Sequence, residues 1–391
     1  MSPRTSDRYT IISSDCHAGA NHATYREYLD SEWQADFDAW RGKYRNPFRD
    51  LQDDGRSRNW DDDRRIGEQD ADGIVAEVVF PNTVPPFFPT GQVVAPAPKN
   101  DADFERRLAG LHAHNRWLVD FVNAHPTRRA GLGQIFLNDV DQAVKDVRWM
   151  KEQGLAGVLL PGVSPDTPWI EPLFSPIYDP LWAVCQELEL PVTHHSGGSG
   201  IPNYGKYPFT NAIFVMETGF FANRAFWHLI LSGVFDRFPD LKLVLTEQGT
   251  QWVPGILQRM DALWERMSGG RIGELDVPDG AVTKRKASDY FHDNVWIGAS
   301  FPSPDDAEVF TELGIDKIMW GSDYPHNEGT YPRTRESLRA AFSHRSEADL
   351  RKIFAENIAG VYGFDLDALA PIAAEHGPTV DEVATPLEAA A

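Results

Sequence analysis

Five residues of this chain have types and positions that could do chemistry together: Asp15, His17, His195, Glu247 and Asp323. Histidines and carboxylates in one group suit a divalent first-row metal ion. Such an ion lowers the pKa of a bound water towards ~7 and polarises a substrate oxygen. A carboxylate beside that water can accept its proton. The motifs support the grouping individually. In Asp15-Cys16-His17 the two outer residues share one side of an extended segment and Cys16 takes the other. In Thr193-His194-His195-Ser196-Gly197-Gly198 only one histidine can face inward, and the glycines place His195 at the strand end. Glu247 follows the apolar run Leu243-Val244-Leu245, and Asp323 lies in Trp320-Gly321-Ser322-Asp323-Tyr324-Pro325-His326. A carboxylate that ends a buried run is costly unless it is paired or metal-bound. Each alone could also be a helix cap or half of an ion pair. The expected metal ligands are therefore Asp15, His17, His195, Glu247 and Asp323. The expected catalytic groups are Asp323, Glu247 and His326, the last contacting substrate or donating a proton to a leaving group.

Elements that would bring these residues together recur along the chain. Short apolar runs at Tyr9–Ser14, Ile74–Phe80, Arg129–Phe136, Ala156–Leu160, Pro191–His195, Lys242–Glu247, Val295–Ala299 and Lys317–Asp323 alternate with amphipathic stretches. This alternation predicts parallel strands with crossover helices, and eight units predict an α/β fold, a (β/α)8 TIM barrel. The candidate residues end strands one, five, six and eight, at the face where such barrels carry their sites. Links from strand to helix are long and rich in Pro, Gly and aromatics, as functional loops are. The whole chain, 1–391, reads as one domain. The segment 21–65 is too long for a loop and is expected to be a cap inserted after the first strand, and 365–391 is expected to be a C-terminal tail. Glu77, mid-strand, is expected to hold a buried partner such as an arginine. Arg58, Arg65 and Arg224 are candidate carboxylate clamps.

Lysine and arginine number 37 against 58 aspartates and glutamates, a net charge of −21. That argues against nucleic acid or an anionic membrane as partner and leaves a small-molecule substrate. Two cysteines, Cys16 and Cys185, cannot build a disulfide framework. No leader pattern is seen at the start, and no apolar stretch approaches the ~20 residues of a membrane span. A cytoplasmic enzyme is expected.

The motifs Ser14-Asp15-Cys16-His17, Gly73 to Asn82, Ser232 to Lys242, Glu247 to Pro254 and Trp320 to His326 resemble the amidohydrolase-related family. This is the branch of the metal-dependent amidohydrolase superfamily that includes aminocarboxymuconate-semialdehyde and γ-resorcylate decarboxylases. The resemblance covers about Tyr9 to Phe364 and implies a barrel whose ion, zinc by resemblance, is held by a first-strand His-x-His, a fifth-strand His and an eighth-strand Asp. His17, His195 and Asp323 match that set. Asp15 replaces the first histidine, and its hard oxygen makes manganese or iron reasonable alternatives. One or two ions are compatible with the three carboxylates. The resemblance also implies a homodimer. The decarboxylases carry a catalytic histidine at the end of strand six, where this chain has Glu247, a further ligand or a base for metal-bound water. On that departure the leading expectation is a metal-dependent hydrolase acting on a small, partly aromatic or cyclic carboxylic-acid derivative. The alternatives are a metal-dependent non-oxidative decarboxylase and a non-catalytic ligand-binding barrel.

Overall fold

The structure, a computed structural model, describes residues 7–43, 54–90 and 95–387. Eight strands form one sheet: β1 (Ile12–Ala18), β2 (Ala76–Pro81), β3 (Arg129–Gln134), β4 (Gly157–Leu159), β5 (Val192–His195), β6 (Leu243–Thr246), β7 (Val295–Ser300) and β8 (Ile318–Gly321). Neighbours in this order pair in parallel. The ring closes between β8 and β1, where His17 N donates to Tyr324 O (2.6 Å) and Asp323 N donates to Asp15 O (2.9 Å). The eight apolar runs of the sequence are thus the eight strands of a (β/α)8 barrel.

Strand composition follows from burial on both faces. In β6, Val244 points inward and packs with Ile12, Val78, Leu132 and Met319, while Leu243 and Leu245 face the helix layer. The same alternation puts Met319 inside and Ile318 and Trp320 outside. Ile358, Val361 and Tyr362 join the inner cluster, and Tyr362 OH pairs with Thr193 Oγ1 at 3.0 Å. A bulge in β1 between Ser13 and Cys16 shifts its register against β2. Gly321 lets β8 approach there, since a Cβ would lie 2.8 Å from Asp15 Cβ.

The inserted segment 21–65 contains helices His22–Tyr28 and Gln34–Lys43 and a 3-10 turn, Asp54–Asn59; its residues 44–53 lie outside the described residues. Leu29 and Phe37 pack on Phe87 and on Ala109 and Ala113 of the Asp101–Ala124 helix. The 3-10 turn reaches the barrel rim, where Asn59 O accepts from Gly19 N (3.1 Å) and Asn59 Oδ1 from Asn82 Nδ2 (2.7 Å). Residues 365–387 of the expected tail form helices Leu366–His376 and Val380–Val383, joined to the start of the chain by Tyr9 N to Pro378 O (2.9 Å) and Val380 N to Asp7 O (2.9 Å). Residues 388–391 lie outside the described residues. Among the described residues no helix is long and apolar enough to cross a membrane.

Glu77 has the expected arginine partner. Its carboxylate accepts from Arg65 Nε (2.8 Å), Gln69 Nε2 (2.7 Å) and Arg129 Nε (3.3 Å), all buried. Arg65 Nη1 also donates to His17 O (2.9 Å), which ties the inserted segment to the strand carrying Asp15 and His17. Arg65 is therefore not free to clamp a substrate. Arg58 pairs with Glu68 at 2.7 Å, and Arg224 reaches Val163 O at 3.4 Å.

Removing one partner of a buried ion pair leaves an uncompensated charge and typically costs ~3–5 kcal/mol. Arg65→Met should therefore lower unfolding stability by that order in urea titrations; an unchanged midpoint would contradict the burial described for this pair. A second expectation concerns pH. Burial holds His114 and His194 neutral, each pushed down to about 3. An unfolded histidine titrates near ~6.5, so the unfolded chain binds more protons between these values and stability falls as pH drops through that window. Between pH 7 and pH 5 the contribution of His114 should appear as a difference: the urea midpoint of the unaltered protein should fall relative to that of His114→Asn, and parallel profiles would show that His114 is not held neutral.

Candidate metal centre

The strand ends bring all five expected ligands together. His17 Nε2 lies 3.3 Å from Asp15 Oδ1 and 3.2 Å from Asp323 Oδ1. His195 Nε2 lies 3.6 Å from Asp15 Oδ1 and 3.4 Å from Glu247 Oε2. Asp15 and Asp323 are 0% exposed, His17 2% and His195 3%, whereas Glu247 is 18% exposed. The fifth strand presents His195 rather than His194, whose Nδ1 pairs with Gln248 Nε2 (3.2 Å) on the other side. Cys16 points away from the group, its Sγ 3.4 Å from Ser322 Oγ.

Local backbone and partner contacts aim these side chains. His17 Nδ1 is 3.2 Å from Pro81 O; a carbonyl can only accept, so Nδ1 carries the hydrogen and Nε2 turns to the carboxylates. A ring hydrogen donated to a backbone carbonyl is the usual support for a metal-binding histidine. Gly197 N lies 3.1 Å from His195 Nδ1 and holds the ring with Nε2 towards Asp15 and Glu247; ligation through Nε2 would place the ring hydrogen on Nδ1 and end that hydrogen bond. Ser300 Oγ donates to Asp15 Oδ2 (2.5 Å), and Ser196 Oγ donates to Glu247 Oε2. Glu247 and Asp323 both adopt positive φ, 58° and 60°. Such backbone costs ~1–3 kcal/mol per residue and clusters at functional sites.

The buried atoms left over point to a cation. Asp15 Oδ1, His17 Nε2, His195 Nε2 and both oxygens of Asp323 have no hydrogen-bond partner. Ligand atoms of Asp15, His17 and His195 lie within 4.8 Å of one another, as do those of His17, Asp323 and His326. The same crowding sets the proton affinities. Burial opposes charge on His17, but the close carboxylates of Asp15 and Asp323 outweigh it and hold the imidazole well above its ordinary range. Burial together with the charges of Asp15 and Asp323 raises Glu247, against the pull of His195. A set that so favours positive charge fits a divalent ion.

His326 joins this group. Its Nδ1 lies 2.8 Å from Asp323 Oδ1, its Nε2 3.2 Å from Asn82 Oδ1, and its ring stacks on His17 with centroids 4.1 Å apart. The sequence analysis did not single out Ser300, Ser196 or Asn82 as part of the site. Each follows or ends a barrel strand at the rim, and that position was the only available signal. Beyond β4 and β5 opens a cavity of ≈ 550 Å³, lined among others by Leu159, Leu160, Gly197, Ile201, Tyr204 and Phe214. Phe80 stands beside the metal-ligand cluster, its ring 4.8 Å from that of His195.

The amidohydrolase family model matches residues 14–364, so the chain belongs to the amidohydrolase family. It is 28% identical over 279 residues to a γ-resorcylate decarboxylase of Polaromonas sp., covering 69% of this chain and 79% of that protein. To the γ-resorcylate decarboxylase of Rhodococcus jostii it is 29% identical over 285 residues, covering 69% and 82%. The fold matches that of 5-carboxyvanillate decarboxylase from Sphingomonas paucimobilis, with a TM-score of 0.65, 21% identity and coverage of 90% and 99%. It also matches a dihydroxybenzoic acid decarboxylase of Polaromonas sp. solved with manganese and 2-nitroresorcinol, with a TM-score of 0.62, 22% identity and coverage of 90% and 97%. These relatives correct the hydrolase expectation: the similar characterised proteins are carbon–carbon lyases. The expectation rested on Glu247 standing where decarboxylases carry histidine. That inference was unsound because a carboxyl group also carries a transferable proton, and an ion beside an acid serves either reaction.

Asp15→Ala and His195→Ala should each abolish stoichiometric binding of manganese, measured by elemental analysis after dialysis. Cys16→Ser should retain it. Ser300→Ala, which removes only the group orienting Asp15, should weaken binding by ~10- to 100-fold. Full metal content in both ligand variants would show that the ion sits elsewhere.

Proposed function

We propose that this protein is a metal-dependent, non-oxidative decarboxylase of a hydroxylated aromatic carboxylic acid. The observation that carries the reading is the buried, unpartnered ligand set of Asp15, His17, His195 and Asp323 at the barrel mouth, in a chain whose curated relatives are named as γ-resorcylate decarboxylases. Manganese suits the centre better than zinc, since carboxylate oxygens supply half of those four ligands. Glu247 borders the ion through its contact with His195. When bound, the ion supplies Lewis-acid attraction for the substrate carboxylate and a neighbouring oxygen.

The chain's own residues account for the remaining requirements. Decarboxylation replaces a ring C–CO₂⁻ bond by C–H. A proton bonds to the ring carbon, the electrons of the breaking C–C bond return to the ring, and CO₂ leaves uncharged. The site must therefore hold a proton near that carbon. His326 Nδ1 lies 2.8 Å from Asp323 Oδ1, within reach for the imidazole to pass a proton to the carboxylate, and Asn82 fixes the far side of the imidazole. Asp323 delivers the proton and His326 resupplies it from the more exposed side. The apolar ring of Phe80 beside His195 favours an aromatic ring over a flexible polar substrate. Pairing into a homodimer belongs to the same proposal, on the ground of family resemblance.

Manganese-loaded protein incubated with 2,6-dihydroxybenzoate and related hydroxybenzoates should release one CO₂ per ring acid consumed. In D₂O the product should carry deuterium at the former carboxyl carbon. Asp323→Asn should lower kcat by at least ~100-fold, within the range general acid catalysis supplies. Turnover of an ester, amide or lactone with none of the acids would refute the assignment.

A further inference from the structure

Gln134 ends β3 with a side chain that is 0% exposed, and neither its Nε2 nor its Oε1 has a hydrogen-bond partner among the described residues. Its backbone is held from the helix side. Asn115, on the Asp101–Ala124 helix, donates from Nδ2 to Gln134 O (2.9 Å) and accepts from Gln134 N at Oδ1 (3.0 Å). Ala130 and Leu132 of the same strand belong to the inner cluster, so the period of two turns Gln134 into the barrel as well. A buried primary amide with both groups unpaired is costly unless a ligand or a water meets it.

The strand registers give its height in the barrel. His17 pairs with Phe80, and the β2–β3 register carries that level to Leu132, two residues before Gln134. Gln134 pairs with Leu159 and Leu159 with Thr193, two residues before His195. His195 pairs with Thr246 and Thr246 with Gly298, two residues before Ser300. Barrel strands are tilted, and a layer of inward side chains draws on alternate strands with just such a stagger. His17, Gln134, His195 and Ser300 therefore form one layer. Three of them already serve the metal centre: His17 and His195 turn ring nitrogens to it, and Ser300 donates to Asp15. Gln134 is the fourth, opposite Ser300 in the ring of strands. Phe80, from the strand beside it, has its ring 4.8 Å from that of His195 and 5.7 Å from that of His17.

We propose that Gln134 is a specificity-determining residue whose amide binds a ring hydroxyl of the substrate that the ion does not hold. Oε1 accepts the hydroxyl hydrogen, and Nε2 donates to an oxygen beside it. A ring acid whose carboxylate and one neighbouring oxygen meet the ion, and whose ring lies along Phe80, presents its remaining substituents towards β3. The inference rests on the decarboxylase reading and narrows it to acids with a second hydroxyl beside the carboxyl group. A site built to hydrogen-bond a hydroxyl rejects the analogue that lacks it, because the amide is then left unpaired.

Equilibrium binding to the manganese-loaded protein tests it with 2-nitroresorcinol and 2-nitrophenol, which differ by one hydroxyl. Their nitro group stands in for the carboxylate and cannot leave as CO₂. The unaltered protein should bind 2-nitroresorcinol at least ~10-fold more tightly, and in Gln134→Met and Gln134→Leu that ratio should shrink to within ~3-fold. The ratio of kcat/KM for 2,6-dihydroxybenzoate to that for 2-hydroxybenzoate should fall in parallel. The unfolding midpoint of ligand-free Gln134→Met should equal or exceed that of the unaltered protein, since an apolar side chain removes an unpaired amide. A binding ratio unchanged in both variants would overturn the contact. A lowered midpoint with both compounds weakened alike would overturn it too, by making the amide a structural brace. Hydroxyl discrimination that depends on Gln134, without CO₂ release from either acid, would uphold the contact and overturn the decarboxylase reading. Binding of neither compound by the unaltered protein would overturn both.

Discussion

The constraint on which this structure depends is the burial of several electron-rich atoms facing one another at the barrel mouth. Asp15 Oδ1 and Asp323 Oδ1 both approach His17 Nε2, whose ring hydrogen is already committed to Pro81 O on its other nitrogen. Two like charges ~4 Å apart repel by about 4 kcal/mol at an effective dielectric near 20. No arginine or lysine is among the contacts that these carboxylates make to the described residues. The positive charge that makes the arrangement favourable must come from protons or a metal ion. A shared proton can satisfy a pair of these atoms; a divalent cation can satisfy four or five at once.

Much of the fold can be read as support for that point. Closure of the barrel between β8 and β1 passes through the backbone of Asp15, His17, Asp323 and Tyr324, so ring closure and ligand placement are one event. Gly321 removes the side chain that would keep β8 away from Asp15. The Arg65–Glu77–Arg129 cluster braces β1 and β2 from behind and reaches the carbonyl of His17. The positive φ of Glu247 and Asp323 turns both carboxylates out of their strands and towards the group. Strain of this kind persists only where surrounding contacts over-determine it.

What the sequence disclosed follows from which signals are local. Strands buried on both faces write themselves as continuous apolar runs, so Leu243-Val244-Leu245 and Ile318-Met319-Trp320 were legible as barrel strands. The period of two was enough to pair Asp15 with His17, to turn Cys16 away and, with the following glycines, to choose His195 over His194. The β1 bulge was not legible, because an extra residue in a strand leaves no compositional trace. Nor were Ser300, Ser196 and Asn82, small polar residues that matter only through partners supplied by other strands. The reaction type was misread for a related reason. Residue types identify an acid, a base and an ion, but the direction in which a proton travels depends on the bound substrate.

Glu247 shows how far that ambiguity reaches. At the end of β6 it contacts His195, accepts from Ser196 and stands near Asp15 and Asp323, whose charges favour its protonated form. A histidine there would add positive charge to the mouth; a glutamate adds negative charge or, protonated, none. Replacing one by the other therefore changes the charge that a bound cation must balance, while His326 still stands 2.8 Å from Asp323 on the β8 side. On this account the departure at β6 is an adjustment of the metal centre, and the lyase chemistry of the relatives remains open to a chain that lacks their histidine.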